Sequence, residues 1–356
     1  MMHRSILLVE DIPVFQNKMF ATEAAALACP KGTVNLVEDM DTGLVFNAAF
    51  DAALLDYDTN YQNEQGYSGV FQRHLDAVRE IIEPHFSGKS LIEIGCGKGY
   101  FLEHMQKHGY DITGIDPAYE GDSPFIVKAC FEPGLGLSAD VVILRHVLEH
   151  IPDPVTFLSS IARANGDKGI IYLEVPCIDW ICRHRAWFDI FYEHVNYFRL
   201  SDFRRMFGTV HEAGHLFGGQ YLYVVADLST MRPPHTEEQD AVRFPDDFLT
   251  GIQDVIAGGT TGKRKAIWGG AAKGTMFAFY MKRAGITVDL VVDINPAKQG
   301  KFLPSSGLRV LSPEDAMQIL QQGDNVFVMN SNYYGEIIAK TNNLFHYVRV
   351  DNYELC

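Results

Sequence analysis

The chain has no apolar run near the ~20 residues that a membrane-spanning helix needs, no cysteines at CxxC spacing, and no Lys/Arg cluster interleaved with aromatics. The first absence argues against a membrane protein. The amino terminus, MMHRSILLVEDIP, meets acidic residues and a proline before a signal-peptide core can form, so a cytoplasmic location is expected. The six cysteines, Cys29, Cys96, Cys130, Cys177, Cys182 and Cys356, are scattered, which suits reduced thiols rather than a disulfide framework or a zinc site. No bound metal is expected. The formal charge of −15 opposes a phosphate backbone, so nucleic acid is not an expected partner. At 356 residues the chain is long for one core and suits two or three domains.

What the chain does have is LIEIGCGKG over residues 91–99, an apolar run stopped by three glycines on alternate positions, and DITGID, an apolar run ended by Asp116. A buried strand, a glycine turn, a helix from about Tyr100 and a second strand tipped by a carboxylate make a nucleoside site. Backbone at Gly95 and Gly97 can approach the ligand, and Asp116 can accept both ribose hydroxyls. The third glycine, Gly99, comes one residue too early for a dinucleotide fingerprint. That register, with Glu93 ahead of it, resembles the first motif of class I S-adenosylmethionine (SAM) methyltransferases.

Strand-like and helix-like segments alternate from about residue 76 to 228: LIEIG, ITGID, FIVKA, DVVILRHV, GIIYLEV and QYLYVVAD. The pattern predicts a mostly parallel, doubly wound α/β sheet. Residues 1–75 read as a small domain of short strands, residues 229–262 as a linker with a connecting helix, and residues 263–356 as a second Rossmann-like unit opening on KAIWGG. Ligands of such sheets sit beyond the carboxyl ends of the strands. Two polar constellations fall there. LRHVLEHIPDP offers Arg145, His146, Glu149 and His150; WFDIFYEHVNYF offers Asp189, Tyr192, Glu193, His194 and Tyr197. The bland alternatives are a common strand-to-helix connection and a buried hydrogen-bonded pair at the sheet edge. Methyl transfer to carbon needs a base beside a carbonyl and a donor for the enolate oxygen. His194 has the intrinsic pKa of such a base, Glu193 could orient it, and Tyr192 and His150 could donate to the oxyanion.

These residues resemble the sugar C-methyltransferases of deoxysugar and polysaccharide biosynthesis, which act on nucleotide-linked 4-keto sugars. The resemblance covers nearly the whole chain: PVFQN, GLVFN, YQNEQGYS, LIEIGCGKG, YEHVNYF, WGGAAKG, VVDINPAKQGKFLP and NSNYYGEI. It implies a zinc-binding first domain, a SAM-binding middle and a last domain that helps to hold the nucleotide-sugar. It also implies His194 as the base with Glu193 beside it, and His150 as the histidine after the fourth strand. SAM would touch Glu93, Gly95, Cys96, Gly97, Asp116 and Arg145, with Gln65 and Ser68 covering it. Substrate would touch Tyr197, Gly270, Lys273, Lys298 and Asn332.

Two departures matter. Asp39 and Thr42 stand where the family carries the C-x-x-C thiolates, so tetrahedral thiolate zinc is not expected. Phe191 stands in place of a tyrosine usual three residues before the base. Three alternatives remain open: O- or N-methyl transfer to a related metabolite, a noncatalytic SAM-binding subunit, and NAD at the GGAAKG turn, against which Ala271 argues.

Overall fold

The computed structural model describes residues 2–55, 62, 64, 66–86, 90–236, 240–259 and 261–351. Three sheets carry the architecture. In the first, the antiparallel strands His3–Pro13, Lys31–Asp39 and Val45–Asn47 lie on the segments SILLVE, TVNLVED and GLVFN, the short strands expected of residues 1–75. Its fourth strand, Asn196–Tyr197, arrives from far along the chain and pairs Tyr197 with Val45. At the place of the missing thiolates, Asp39 closes the turn itself. Its Oδ1 accepts from the N–H groups of Asp41 (2.7 Å) and Thr42 (3.0 Å), a side-chain turn that needs no metal.

The second sheet has seven strands in the spatial order Val210–Leu216, Tyr221–Asp227, Ile170–Pro176, Val141–Arg145, Leu91–Ile94, Ile112–Ile115 and Ile126–Val127. The last five are mutually parallel, and Tyr221–Asp227 runs antiparallel to Ile170–Pro176. All four residues of Leu91–Ile94 are buried, as are the first four of Val141–Arg145, which is why the second reads as an unbroken apolar run and the first as one interrupted only by Glu93. Strand order reverses between these two, and the crevice at their carboxyl ends is where such sheets bind ligands. The edge strand Val210–Leu216 carries no strand signal in the sequence, because VHEAGHL is polar on both faces and leaves most of itself half-exposed.

The third sheet, five parallel strands in the order Val310–Leu311, Leu290–Val292, Lys265–Trp268, Asn325–Val328 and His346–Arg349, is the second Rossmann-like unit. One apolar core joins it to the rest: Trp187 stacks on Phe277 at 5.6 Å and meets the edge of Tyr280. A second tie is polar. The helix Gly69–Phe86 of the middle unit receives its N-terminal acceptor from Glu336, whose carboxylate takes the Ser68 hydroxyl (2.7 Å) and the Val70 N–H (2.8 Å). No helix among the described residues is long and apolar enough to cross a membrane.

The turn before the helix Ala272–Arg283 is packed without slack. A Cβ on Gly274 would lie 1.9 Å from the carbonyl oxygen of Gly269, so Gly274→Ala must push the turn open. Overpacking of this kind costs about 1–3 kcal/mol. The urea midpoint should fall accordingly; an unchanged midpoint would show that the turn gives way freely.

Candidate active site

A cavity of about 850 Å³ opens where the three sheets meet, lined by residues of the glycine turn 95–98, the 145–150 connection, His194, and the second turn 269–274. At its floor Gly95 has φ +74°, and a Cβ there would lie 2.3 Å from a methyl of Val147. Gly97 has φ +55°, and a Cβ added to it would meet nothing within 4 Å, so its backbone is open to a ligand. The Gly97 N–H donates to Asp116 Oδ2 (2.8 Å) and the Ala118 N–H to Oδ1 (2.8 Å), which anchors the carboxylate against the turn. Each oxygen keeps a second lone pair for a ribose hydroxyl. Glu93 is 3% exposed, and its Oε2 has no hydrogen bond. Burial pushes its carboxyl up to about 7, against the opposing pull of Arg145. Cys96 lines the same floor, and burial raises its thiol. These features fit SAM: an open glycine backbone, the Asp116 carboxylate anchored behind the turn, where it does not itself line the cavity, and a buried carboxyl with one unpaired oxygen for an ammonium group. Ser68 also lines the cavity, but its hydroxyl is committed to Glu336. Gln65 lies outside the described residues.

Arg145 lines the cavity with its guanidinium 4.6 Å over the Phe101 ring and 3.2 Å from Glu174. Glu174, fully buried in the strand Ile170–Pro176, is not among the residues that the sequence singles out. Its carboxylate also meets His74 (3.1 Å), His146 (3.0 Å) and the Tyr172 hydroxyl (2.9 Å). Burial alone would raise Glu174, but Arg145 and His74 hold it well below the usual carboxylate range. Burial would lower His146; the Glu149 and Glu174 carboxylates beside it override that and lift the imidazole to about 9, although its Nε2 and both Glu149 oxygens make no aligned hydrogen bond. His146 also sits at φ +55°, a conformation that non-glycine residues hold only under constraint. The signal for this network is a lone glutamate inside the apolar run IIYLEV, since a charge in a buried strand requires partners.

The segment Asp189–Tyr197 divides its side chains. His194 lines the cavity, with the Phe191 ring tilted against it at 4.0 Å and the His150 ring 4.9 Å away, edge-on. Burial, with His150, His146 and Lys273 nearby, holds His194 well below its ordinary value, so the imidazole is neutral; its buried Nδ1 has no partner. His150 donates from Nδ1 to the Glu193 carbonyl (2.8 Å), and the Val195 N–H donates to the Glu149 carbonyl (2.8 Å), so backbone zips the two loops together. Three expected residues face elsewhere. The Tyr192 hydroxyl exchanges hydrogen bonds with the Asp51 backbone, and its ring fills the space beside Gly32. It cannot serve an oxyanion. Tyr197 spans the Phe191 N–H and C=O with its hydroxyl, clamping the loop rather than touching substrate. Glu193, fully buried, accepts from the Gln16 N–H (2.9 Å) and Asn17 Nδ2 (3.3 Å) instead of facing the cavity.

From the third sheet, Lys273 enters the cavity. Its ammonium bonds Asp189 (2.8 Å) and Gln220 (2.9 Å) over the Trp180 ring, leaving one N–H. Lys298 lines the cavity and bonds Asp293 (3.1 Å), which also takes the Gly270 N–H (2.8 Å). Gly270 itself does not line it, and Asn332 bonds the Phe217 carbonyl outside it; Asn330 stands in the cavity in its place.

Residues 68–214 match the family model described as a methyltransferase domain, and residues 236–347 match the C-methyltransferase C-terminal domain. The C-methyltransferase NovU of Streptomyces niveus is 25% identical over 290 residues, covering 70% of this chain and 68% of that protein. A ubiquinone biosynthesis O-methyltransferase of Aliivibrio fischeri (strain MJ11) is 32% identical over 103 residues, 24% of this chain. The match spans 43% of that protein, less than half its length. The solved S-adenosylmethionine dependent methyltransferase from Mesorhizobium loti aligns over 45% of this chain and 100% of its own at 13% identity, with a TM-score of 0.35.

The ionisation of Glu93 sets a pH dependence. Below about 7 the carboxyl is neutral and above it ionised, and an ammonium ligand selects the ionised form. Calorimetric affinity for SAM should therefore fall as pH drops from about 8 to about 6, approaching tenfold per unit on the acid side, and Glu93→Gln should flatten the profile. A flat profile in the unaltered protein would remove Glu93 from the site. Asp116→Ala should weaken binding by about 1.5–3 kcal/mol, the scale of a hydrogen bond to a charged group.

Proposed function

Since the chain belongs to the SAM-dependent methyltransferases of the C-methyltransferase family, we propose that it methylates a carbon of a nucleotide-linked keto-deoxysugar, with His194 as the base. The observation that carries this reading is a neutral imidazole, unpartnered at Nδ1, facing a cavity shared by the cofactor turn and the Lys273 turn. His194 takes the proton from the carbon beside the carbonyl; the electron pair of that C–H bond forms a carbon–carbon double bond, and the carbonyl π pair moves onto the oxygen, giving an enolate. His150 keeps its Nδ1 proton on the Glu193 carbonyl, so only its Nε2, when protonated, can donate to that oxygen. Lys273 uses its remaining N–H for the anionic part of the substrate. Asp189 and Gln220 keep its ammonium directed into the cavity. When bound, SAM would supply an activated methyl group, whose transfer to that carbon breaks the sulfur–methyl bond and leaves the sulfur as a neutral thioether. Glu93 and Asp116 would hold its ammonium and ribose, while the adjacent Phe191 ring restricts water around His194.

The likeness to O-methyltransferases over 103 residues favours a second reading, methyl transfer to oxygen of a related metabolite. It needs no enolate. Solvent deuterium should exchange into the keto sugar without SAM if carbon is the acceptor, and His194→Gln should abolish that exchange while lowering kcat by about 10²–10⁴. SAM binding should survive. Undiminished turnover in His194→Gln would overturn the base assignment, and turnover without exchange would favour oxygen.

A further inference from the structure

On the outer face of the middle unit, away from the catalytic cavity, the helix Tyr100–Lys107 and the residue that ends it present His104 and His108 one turn apart. Asp76 reaches across from the helix Gly69–Phe86, its Oδ1 3.3 Å from His104 Nε2. The one ligand atom that each of the three side chains offers lies within 4.8 Å of the other two. Three features prepare the group. His104 Nε2 is buried yet makes no aligned hydrogen bond, so the contact with Asp76 does not satisfy it. His108 gives its Nδ1 proton to the His104 carbonyl at 2.9 Å, which leaves Nε2 with a free lone pair. A metal-binding histidine is commonly oriented in this way, by donating its other N–H to a backbone carbonyl. The two rings stand 4.7 Å apart and tilted by 48°, so small rotations aim both at one point.

We propose that Asp76, His104 and His108 bind a divalent transition cation such as zinc, with water completing the coordination. Two imidazoles and a carboxylate suit a borderline cation rather than magnesium or calcium, which prefer all-oxygen sites. Arg79 and Lys107 lie beside the group. The same cations oppose a second positive charge and limit the affinity. Arg79 itself is turned onto Glu83 and Glu80. The bound ion would pin the helix Gly69–Phe86 to the helix that starts on Gly99 of the cofactor turn, and so stiffen the frame of that turn without entering the cavity.

The test uses the full chain stripped with EDTA and titrated with zinc chloride by calorimetry, with thermal unfolding read in parallel. About one ion per chain should bind at micromolar levels, and the melting temperature should rise and return on adding chelator. His104→Asn and His108→Asn should each weaken uptake at least about tenfold, as loss of one of three ligands requires, with neither altering methyl transfer in metal-free buffer. No uptake by the unaltered protein would overturn the proposal. So would uptake that both variants retain but His150→Asn abolishes, because the ion would then sit at Glu149, His150 and His194, which also approach ligand spacing.

Discussion

The carboxylate of Glu193, the backbone and side chain of Gln16 and the side chain of Asn17 hold the three units in one arrangement. Glu193 accepts from the Gln16 N–H, and the Gln16 side chain accepts the Glu193 N–H in return (3.2 Å). The same two residues face the other way as well. The Gln16 carbonyl takes the Thr275 hydroxyl (3.0 Å), and Asn17 Oδ1 takes the Ala272 N–H (3.1 Å). A first-sheet segment therefore bonds both to the loop that carries His194 and to the helix that carries Lys273. Buried polar groups of this kind are costly unless every one is satisfied, so the junction specifies a geometry more than it adds stability. Moving any partner would shift the imidazole, the ammonium, or both.

Around the cavity floor, charge is arranged in a chain. Glu93, Arg145, Glu174 and His146 alternate in sign, and Glu149 follows on the far side of His146. Alternation lets these ionisable groups stay buried together, because each cation serves two carboxylates. The end members are the least compensated. Glu93 is left with an oxygen unpaired and a raised pKa, and His194, beyond the other end, stays neutral beside cationic neighbours. Those are the states that the proposed ammonium-binding acid and the proposed general base require.

Much of this is legible in the sequence. Glycine turns read clearly at 95–99 and 269–274 because only glycine tolerates those torsions and approaches, and the parallel strands read clearly as apolar runs bounded by acidic tips. Within YEHVNYF the order of side chains is visible but their directions are not. An irregular loop has no period, so nothing in the spacing says that His194 faces the cavity while Tyr192 turns to Asp51. Glu174 and His74 are hidden for a different reason: each lies in a regular element and acquires its partners only when the sheet and the helix Gly69–Phe86 pack. The choice between Asn330 and Asn332 turns on two residues of a tight helical turn, below the resolution of any pattern.

Glu336 gives the molecule an unusual kind of indivisibility. Two separate family descriptions meet in this chain, one on each side of residue 230, as if it were two modules strung in series. Yet the first helix of the earlier module takes its N-terminal acceptor from a glutamate 266 positions later. A fragment ending before the third sheet would expose the amides of that helix to water and leave Ser68 without its partner. The modules can be recognised apart, but neither can be inherited, shortened or exchanged without the other's consent at this one carboxylate.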